Sequence, residues 1–307
     1  GFESLPLRQT RSFVKRACTS ALCPAPAAGR RVSYSRGAGD RSVGARNRIP
    51  IALHVAYVNH RPMPELEPGN TRYLLVDALR GVAIVLMVVF HFCFDLAYFE
   101  LADFDFYSDP FWLNLRTLIL SMFLGLVGVS LVLANRNGLD RKRYLKRLTL
   151  LVLSALAISL STWWMFGARF VFFGVLHFIT VASVLGLLFL RFDWMNLLIG
   201  IGLIGFAGNN SFPWFDQAGW RWIGLMTHKP ATEDYVPLLP WFGVVLIGMF
   251  AAKRLLRLAG LQSLEHSLHD KRLVRILAFS GQRSLWIYLV HQPLLIGLLS
   301  VYVRLAP

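Results

Sequence analysis

The chain has 307 residues, 55% hydrophobic and 16% charged, with a mean hydropathy of +0.51 and a net charge of +15. Repeated apolar runs of about twenty residues exclude a soluble globular domain and require a polytopic membrane protein with the lipid bilayer as its first partner. Nucleic acid is not an expected partner: residues 1–62 hold eleven Lys and Arg against Glu3 and Asp40, and the remainder carries only +6 (21 basic, 15 acidic), ordinary for basic loops between spans.

Residues 1–62 are rich in Arg, Ala, Gly, Ser and Pro, lack helical periodicity, and contain no Met; the first is Met63. Three origins stay open: an acid-poor targeting peptide, a basic disordered tail touching anionic lipid, or a start placed too early, with translation beginning at Met63. The last is preferred, and no packed structure is expected before about residue 65. A short polar lead-in, 63–74, then precedes one membrane domain, 75–305.

The first span, Val76 to Phe99, carries Asp77, Arg80, His91 and Asp95. At 100° per residue the four fall on one stripe roughly 60° wide, with His91 about 16 Å along the axis from Arg80. Ionisable groups are costly in a membrane helix, so each is a candidate site residue. An acidic aromatic loop, Glu100 to Asp109, follows. Further spans are expected at 115–134, 148–165, 170–190 with His177, 194–207, 236–252 and 284–303 with His291-Gln292-Pro293. This is an all-α bundle of about seven spans. Basic segments lie at 136–147 and 253–283; the second contains an amphipathic piece, 264–277, suited to the membrane surface. Trp214, Trp220 and Trp222, in the loop 208–235, fit an interfacial belt. If the first span starts in the cytoplasm, the inner loops carry fourteen Lys and Arg against five outside, so the N-terminus is expected inside.

That orientation places Arg80 near the inner surface and His91 and His177 at similar depth in the outer half. His291 comes out about 10 Å from the inner end of the last span, at 1.5 Å per residue. His91 with Asp95 four residues on is a candidate general base with its orienting carboxylate. A polar seam between helices, and a proton-coupled or small-solute transporter using the same stripe as a relay, remain alternatives. No metal is expected: His291 lies too far from His91 and His177 to join them on one ion. Cys18, Cys23 and Cys93 form no C-x-x-C and no disulfide framework.

The stretch D-A-L-R-G-V-A-I-V-L-M-V-V-F-H (Asp77 to His91) resembles the opening of the heparan-alpha-glucosaminide N-acetyltransferase catalytic domain and its bacterial relatives. It also has the Arg–ten residues–His spacing of the wider acyltransferase-3 class. F-G-V-L-H-F-I (173–179), D-Y-V-P-L-L-P-W-F-G (234–243) and S-L-W-I-Y-L-V-H-Q-P (284–293) are similar to the bacterial branch, so the resemblance covers about residues 72–303. It implies a multi-span enzyme of a bacterial inner membrane that moves an acyl group, usually acetyl, from cytoplasmic acyl-CoA to a sugar or glycan on the far side. Oligomeric state is left open.

Under that implication His91 and Asp95 are catalytic, and acetyl-CoA is the donor. Arg80, with Arg141 and Arg143 of the basic loop, binds its phosphates, since the guanidinium fork suits phosphate. Asp77, His177, His291 and Gln292 are assigned to the acceptor or thioester. Asp77 has a cap or a partnership with Arg80 as its other role, and His177 and His291 have interhelical hydrogen bonding as theirs. Animal members place Asn where His91 stands and a His shortly after the first span, whereas residues 97–111 here contain none. Their acceptor chemistry therefore does not transfer residue by residue, and an acceptor other than heparan is expected, on a domain without their large lumenal part and extra spans.

Overall fold

The computed structural model describes residues 73–232, 234–257, 267–268 and 270–305. The expectations for residues 1–62 and for most of the lead-in lie outside the described residues. Among the described residues eight α-helices follow in order: α1 Leu74–Tyr98, α2 Pro110–Ala134, α3 Arg141–Phe166, α4 Val175–Phe189, α5 Trp194–Asn209, α6 Leu238–Leu256, α7 Arg272–Gln282 and α8 Ser284–Leu305. No strand occurs among the described residues beyond one isolated bridge, Phe173 with Tyr235. The fold is an all-α membrane bundle.

Each expected span has a helix, but not all have the same reach. Five (α1, α2, α3, α6 and α8) are long and apolar enough to cross a membrane. Helices α4 and α5, of 15 and 16 residues, rise only about 23 Å, short of a hydrocarbon core of about 30 Å. The fourth span was expected to begin at 170. Instead residues 170–174 are non-helical and lie against Thr232 and 234–236: Thr232 Oγ1 donates to the Phe170 carbonyl at 2.7 Å, and Val236 N–H to the Phe173 carbonyl at 3.1 Å. Irregular backbone is tolerated there because protein groups satisfy it.

Local signals set the helix ends. Asp109 and Asp140 accept from Phe111 N–H (2.8 Å) and Arg143 N–H (3.2 Å), capping α2, whose first residue is Pro110, and α3. Small residues set the packing. A Cβ on Gly128 would sit 2.1 Å from the Val245 carbonyl oxygen, and one on Gly248 2.2 Å from that of Gly125, so α2 and α6 touch backbone to backbone. Gly200 and Gly243 do the same for α5 and α6. Helix α6 is thus the hub, and its Phe242, Val245, Leu246 and Met249 are buried with Leu124 of α2 and Phe178 of α4.

The basic connector serves the fold as well. Lys253 Nζ donates to the Leu190 carbonyl at 2.6 Å and to that of Phe192, while Arg254 and Arg257 reach Asp193 Oδ2 at 3.1 and 2.9 Å. These bonds pin the α4–α5 turn to the end of α6. Of the amphipathic piece expected at 264–277, residues 264–266 and 269 lie outside the described residues. The helix found, α7, lies against α1. It runs opposite to α1, with Gly281 on the Asp77 backbone and Leu277 on Gly81, each pair so close that a Cβ would fall 1.9 Å from a carbonyl oxygen.

Candidate functional site

The Gly81 and Gly281 contacts bring the Arg80 turn of α1 to the end of α7. Arg80 donates from Nη1 to Asp77 Oδ1 at 2.6 Å and from Nη2 to Ser130 Oγ of α2 at 2.5 Å. Asp77 Oδ2 accepts from Gln282 Nε2 at 3.1 Å. Asp77 is therefore buried as the partner of Arg80 and Gln282, and Tyr73, not Asp77, holds the cap position of α1.

A cavity of about 680 Å³ opens beside Arg80. Its mouth carries Tyr73, Asp140, Arg143 and Arg147, and its inner end is walled by Leu151, Val175, Leu176, Ile179, Leu285 and Tyr288. Along α2 its lining runs from Ala134 to Phe123, a rise of about 16 Å. Arg147 lies close enough to Arg80 for the two charges to act on each other. Arg141, an expected phosphate ligand, is not among the lining residues. Arg143 lines the mouth with an exposed side chain 3.7 Å from Asp140. Arg147 was missed, although the sequence holds its signal: positions four apart share a helix face, so 147 follows 143, whereas 141 points elsewhere.

Deeper in the bundle, α8 brings its motif to α1. The His91 and His291 rings meet with centroids 4.9 Å apart. Gln292 Nε2 donates to Asp95 Oδ1 at 2.8 Å, which brings Gln292 of α8 onto the carboxylate of α1. His291 Nδ1 lies 2.7 Å from the Tyr288 carbonyl oxygen, which can only accept; Nδ1 therefore carries the hydrogen and Nε2 a lone pair. Buried atoms here with no hydrogen-bond partner among the described residues include three: His291 Nε2, Asp95 Oδ2 and Gln292 Oε1. All three are acceptors. Asp95 is 2% exposed and His291 8%.

His177 does not join them. Gly174 N–H donates to its Nδ1 at 3.3 Å, and its Nε2 faces Ser159 Oγ at 3.0 Å, which in turn donates to the Val171 carbonyl at 2.6 Å. Both ring nitrogens are engaged in holding the first turn of α4. His91 and His177 were expected at similar depth, and His291 apart from both; the separation of His291 from His91 is corrected, since His291 is the histidine that meets His91. The reason is where α8 begins. Ser284 lines the same cavity as Arg80, so α8 starts inside the bundle, and depth counted from its first residue is too shallow.

The same α4 terminus holds Asp234, whose Oδ2 accepts from Val175 N–H at 2.9 Å. Burial raises its carboxyl to about 6, against the Val175 N–H, which favours the charged form. Tyr288, at the cavity's inner end, is within electrostatic reach of Asp234. Among the described residues no group of three His, Cys, Asp or Glu is placed to hold a metal.

A basic-mouthed cavity ending beside a buried histidine pair in a membrane bundle can be compared with known proteins. The family model described as heparan-alpha-glucosaminide N-acetyltransferase, catalytic, matches residues 72–293, well over half of the chain. The chain belongs to that family. It is thus a heparan-alpha-glucosaminide N-acetyltransferase-like membrane protein of an acetyltransferase family, and the match spans the four motifs that carry the resemblance, including both His91 and His291. No curated protein and no solved structure matches the chain significantly.

Proposed function

We propose that this chain moves an acetyl or other short acyl group from acyl-CoA, bound from the basic end of the bundle, to an amine on a sugar or glycan that enters from the opposite end. With the basic loops inside, the donor is cytoplasmic, and a bacterial inner membrane is the setting. The observation that carries the reading is Tyr288. It walls the inner end of the arginine-mouthed cavity, and its ring lies 5.8 Å from that of His291.

The CoA phosphates bind Arg80, Arg147 and Arg143 through charge-assisted hydrogen bonds. The pantetheine arm lies along the apolar lining of α2 and α3, and the thioester stops at Tyr288. Past the edge of that ring, three bare acceptors suit the N–H donors of an amine, whose nitrogen keeps its lone pair for the attack. The amine nitrogen attacks the thioester carbonyl carbon, the C–N bond forms and the C–S bond breaks. The amine proton passes to His291 Nε2 and then to the departing thiolate of CoA. Asp95, oriented by Gln292, holds the amine, and His91 supports the His291 ring.

The test is transfer from radiolabelled acetyl-CoA to glucosamine by the purified chain in lipid nanodiscs. Labelled amide with stoichiometric release of CoA supports the reading. Solute uptake by proteoliposomes, with no amide formed from any amine offered, overturns it in favour of transport.

A further inference from the structure

We infer that Tyr288 sets the length of the acyl chain the donor site accepts. The inference rests on the donor-site reading above and adds the residue that makes the transferred group short.

The inner end of the cavity is apolar. Leu151 comes from α3, Val175, Leu176 and Ile179 from α4, and Leu285 from α8, and the floor is the Tyr288 ring. Tyr288 is held from two sides. It packs against Ile84, Met87, Phe90 and their neighbours on one side and against Leu151, Ala155 and Leu176 on the other. Its carbonyl is fixed by His291 Nδ1–H. A ring held this way does not swing aside to admit methylenes, because a close-packed interior resists even one added methylene. It therefore acts as a stop. An acetyl group ends against it, and a longer acyl chain has to force the ring toward His291, 5.8 Å away, and so distort the histidine pair. The stop also places the reacting carbonyl: with the acyl methyl against the ring face, the thioester carbon lies at the ring's edge, past which the amine held beside His291 reaches it.

Shortening Tyr288 to Ala removes the floor and opens the space beside His291 to the acyl chain. Each methylene that becomes buried in the new space contributes roughly 0.8 kcal/mol, or about fourfold in affinity. Butyryl-CoA and hexanoyl-CoA should then gain on acetyl-CoA.

The experiment is calorimetric binding of acetyl-, butyryl- and hexanoyl-CoA to the detergent-purified chain and to Tyr288→Ala, Tyr288→Leu and Tyr288→Phe. Thermal unfolding shows which variants are folded. In the wild type the affinity is expected to fall with acyl length. In Tyr288→Ala or Tyr288→Leu the hexanoyl-to-acetyl affinity ratio should rise by at least about tenfold, given about fourfold per methylene. Tyr288→Phe, which keeps the ring, should keep the wild-type order. Acetyl-CoA binding to the wild type with no rise in the ratio for a folded Ala or Leu variant overturns this inference and leaves the donor site standing. A wild type that binds no CoA ester overturns both. A rise in Tyr288→Phe equal to that in Tyr288→Ala assigns the selection to the hydroxyl and overturns the ring-stop.

Discussion

The rings of His91 and His291 stand 4.9 Å apart with their planes at 61°, one on the first helix of the bundle and one on the last. His291 carries its hydrogen on Nδ1 toward the Tyr288 carbonyl, so its Nε2 lone pair is a proton acceptor at the site. The contact also joins two motifs that are far apart in sequence into one site.

Replacing His291 with Ala should therefore lower the rate of acetyl transfer by about 10²–10⁴-fold, the usual contribution of a general base. Acetyl-CoA binding should be unchanged, because His291 does not line the donor cavity. Steady-state transfer rates beside calorimetric binding check this. A rate within a few-fold of wild type would remove His291 from the chemistry.

Asp95 should act on the acceptor. Asp95→Asn keeps a side chain that Gln292 can bond but removes the charge. It should raise KM for an amine acceptor more than it lowers kcat, while donor KM stays constant. Because Asp95 is nine-tenths buried and more, Asp95→Ala should also destabilise the protein by about 1–3 kcal/mol, leaving Gln292 unsatisfied. Equal effects on both substrates would contradict an acceptor role.

His177 should behave differently from His291. Its two ring nitrogens bond Gly174 N–H and Ser159 Oγ, so His177→Ala is expected to cost about 0.5–2 kcal/mol of stability, as loss of a helix cap does. The transfer rate per folded molecule should stay near wild type. A large rate loss with an unchanged melting temperature would reverse that assignment.

The stripe on α1 was legible in the sequence, since helical spacing alone puts Asp77, Arg80, His91 and Asp95 on one face. So were apolar helices at the seven expected positions, five of them long enough to cross a membrane. Three things were not. The shortness of α4 depends on residues 170–174 finding partners at Thr232 and 234–236, a long-range pairing with no local signal. Depth counted along a helix fails when the helix starts inside the bundle, as α8 does beside Arg80. And Arg147 was passed over for Arg141, although the four-residue spacing from Arg143 distinguishes them. Tyr288 went unremarked because an aromatic in an apolar helix reads as core until a cavity is seen to end on it.

Asp234 predicts a pH dependence of stability. Its carboxyl rises from 3.8 to about 6 on burial at the start of α4. The native state thus holds the proton more tightly than the unfolded chain. Its contribution is fully present below about pH 4 and is lost as the pH rises through about 6. Asp234→Asn, which keeps an acceptor for Val175 N–H, should melt with a shallower fall between those values in detergent. Identical slopes for the two proteins would show that Asp234 does not titrate in that range.

The central claim is that acyl-CoA enters at the end of the bundle where Arg80 and Arg147 meet. The measurement that tests it most directly is acetyl-CoA binding by calorimetry to the detergent-purified chain and to Arg80→Ala, Arg147→Ala and Arg141→Ala. A charge-assisted phosphate contact contributes about 1.5–3 kcal/mol, so Arg80→Ala and Arg147→Ala should each weaken binding by roughly ten- to hundredfold. Arg141→Ala, outside the cavity, should bind as the wild type does. No binding to the folded wild type, or binding that loses nothing when Arg80 and Arg147 are removed, would contradict the account.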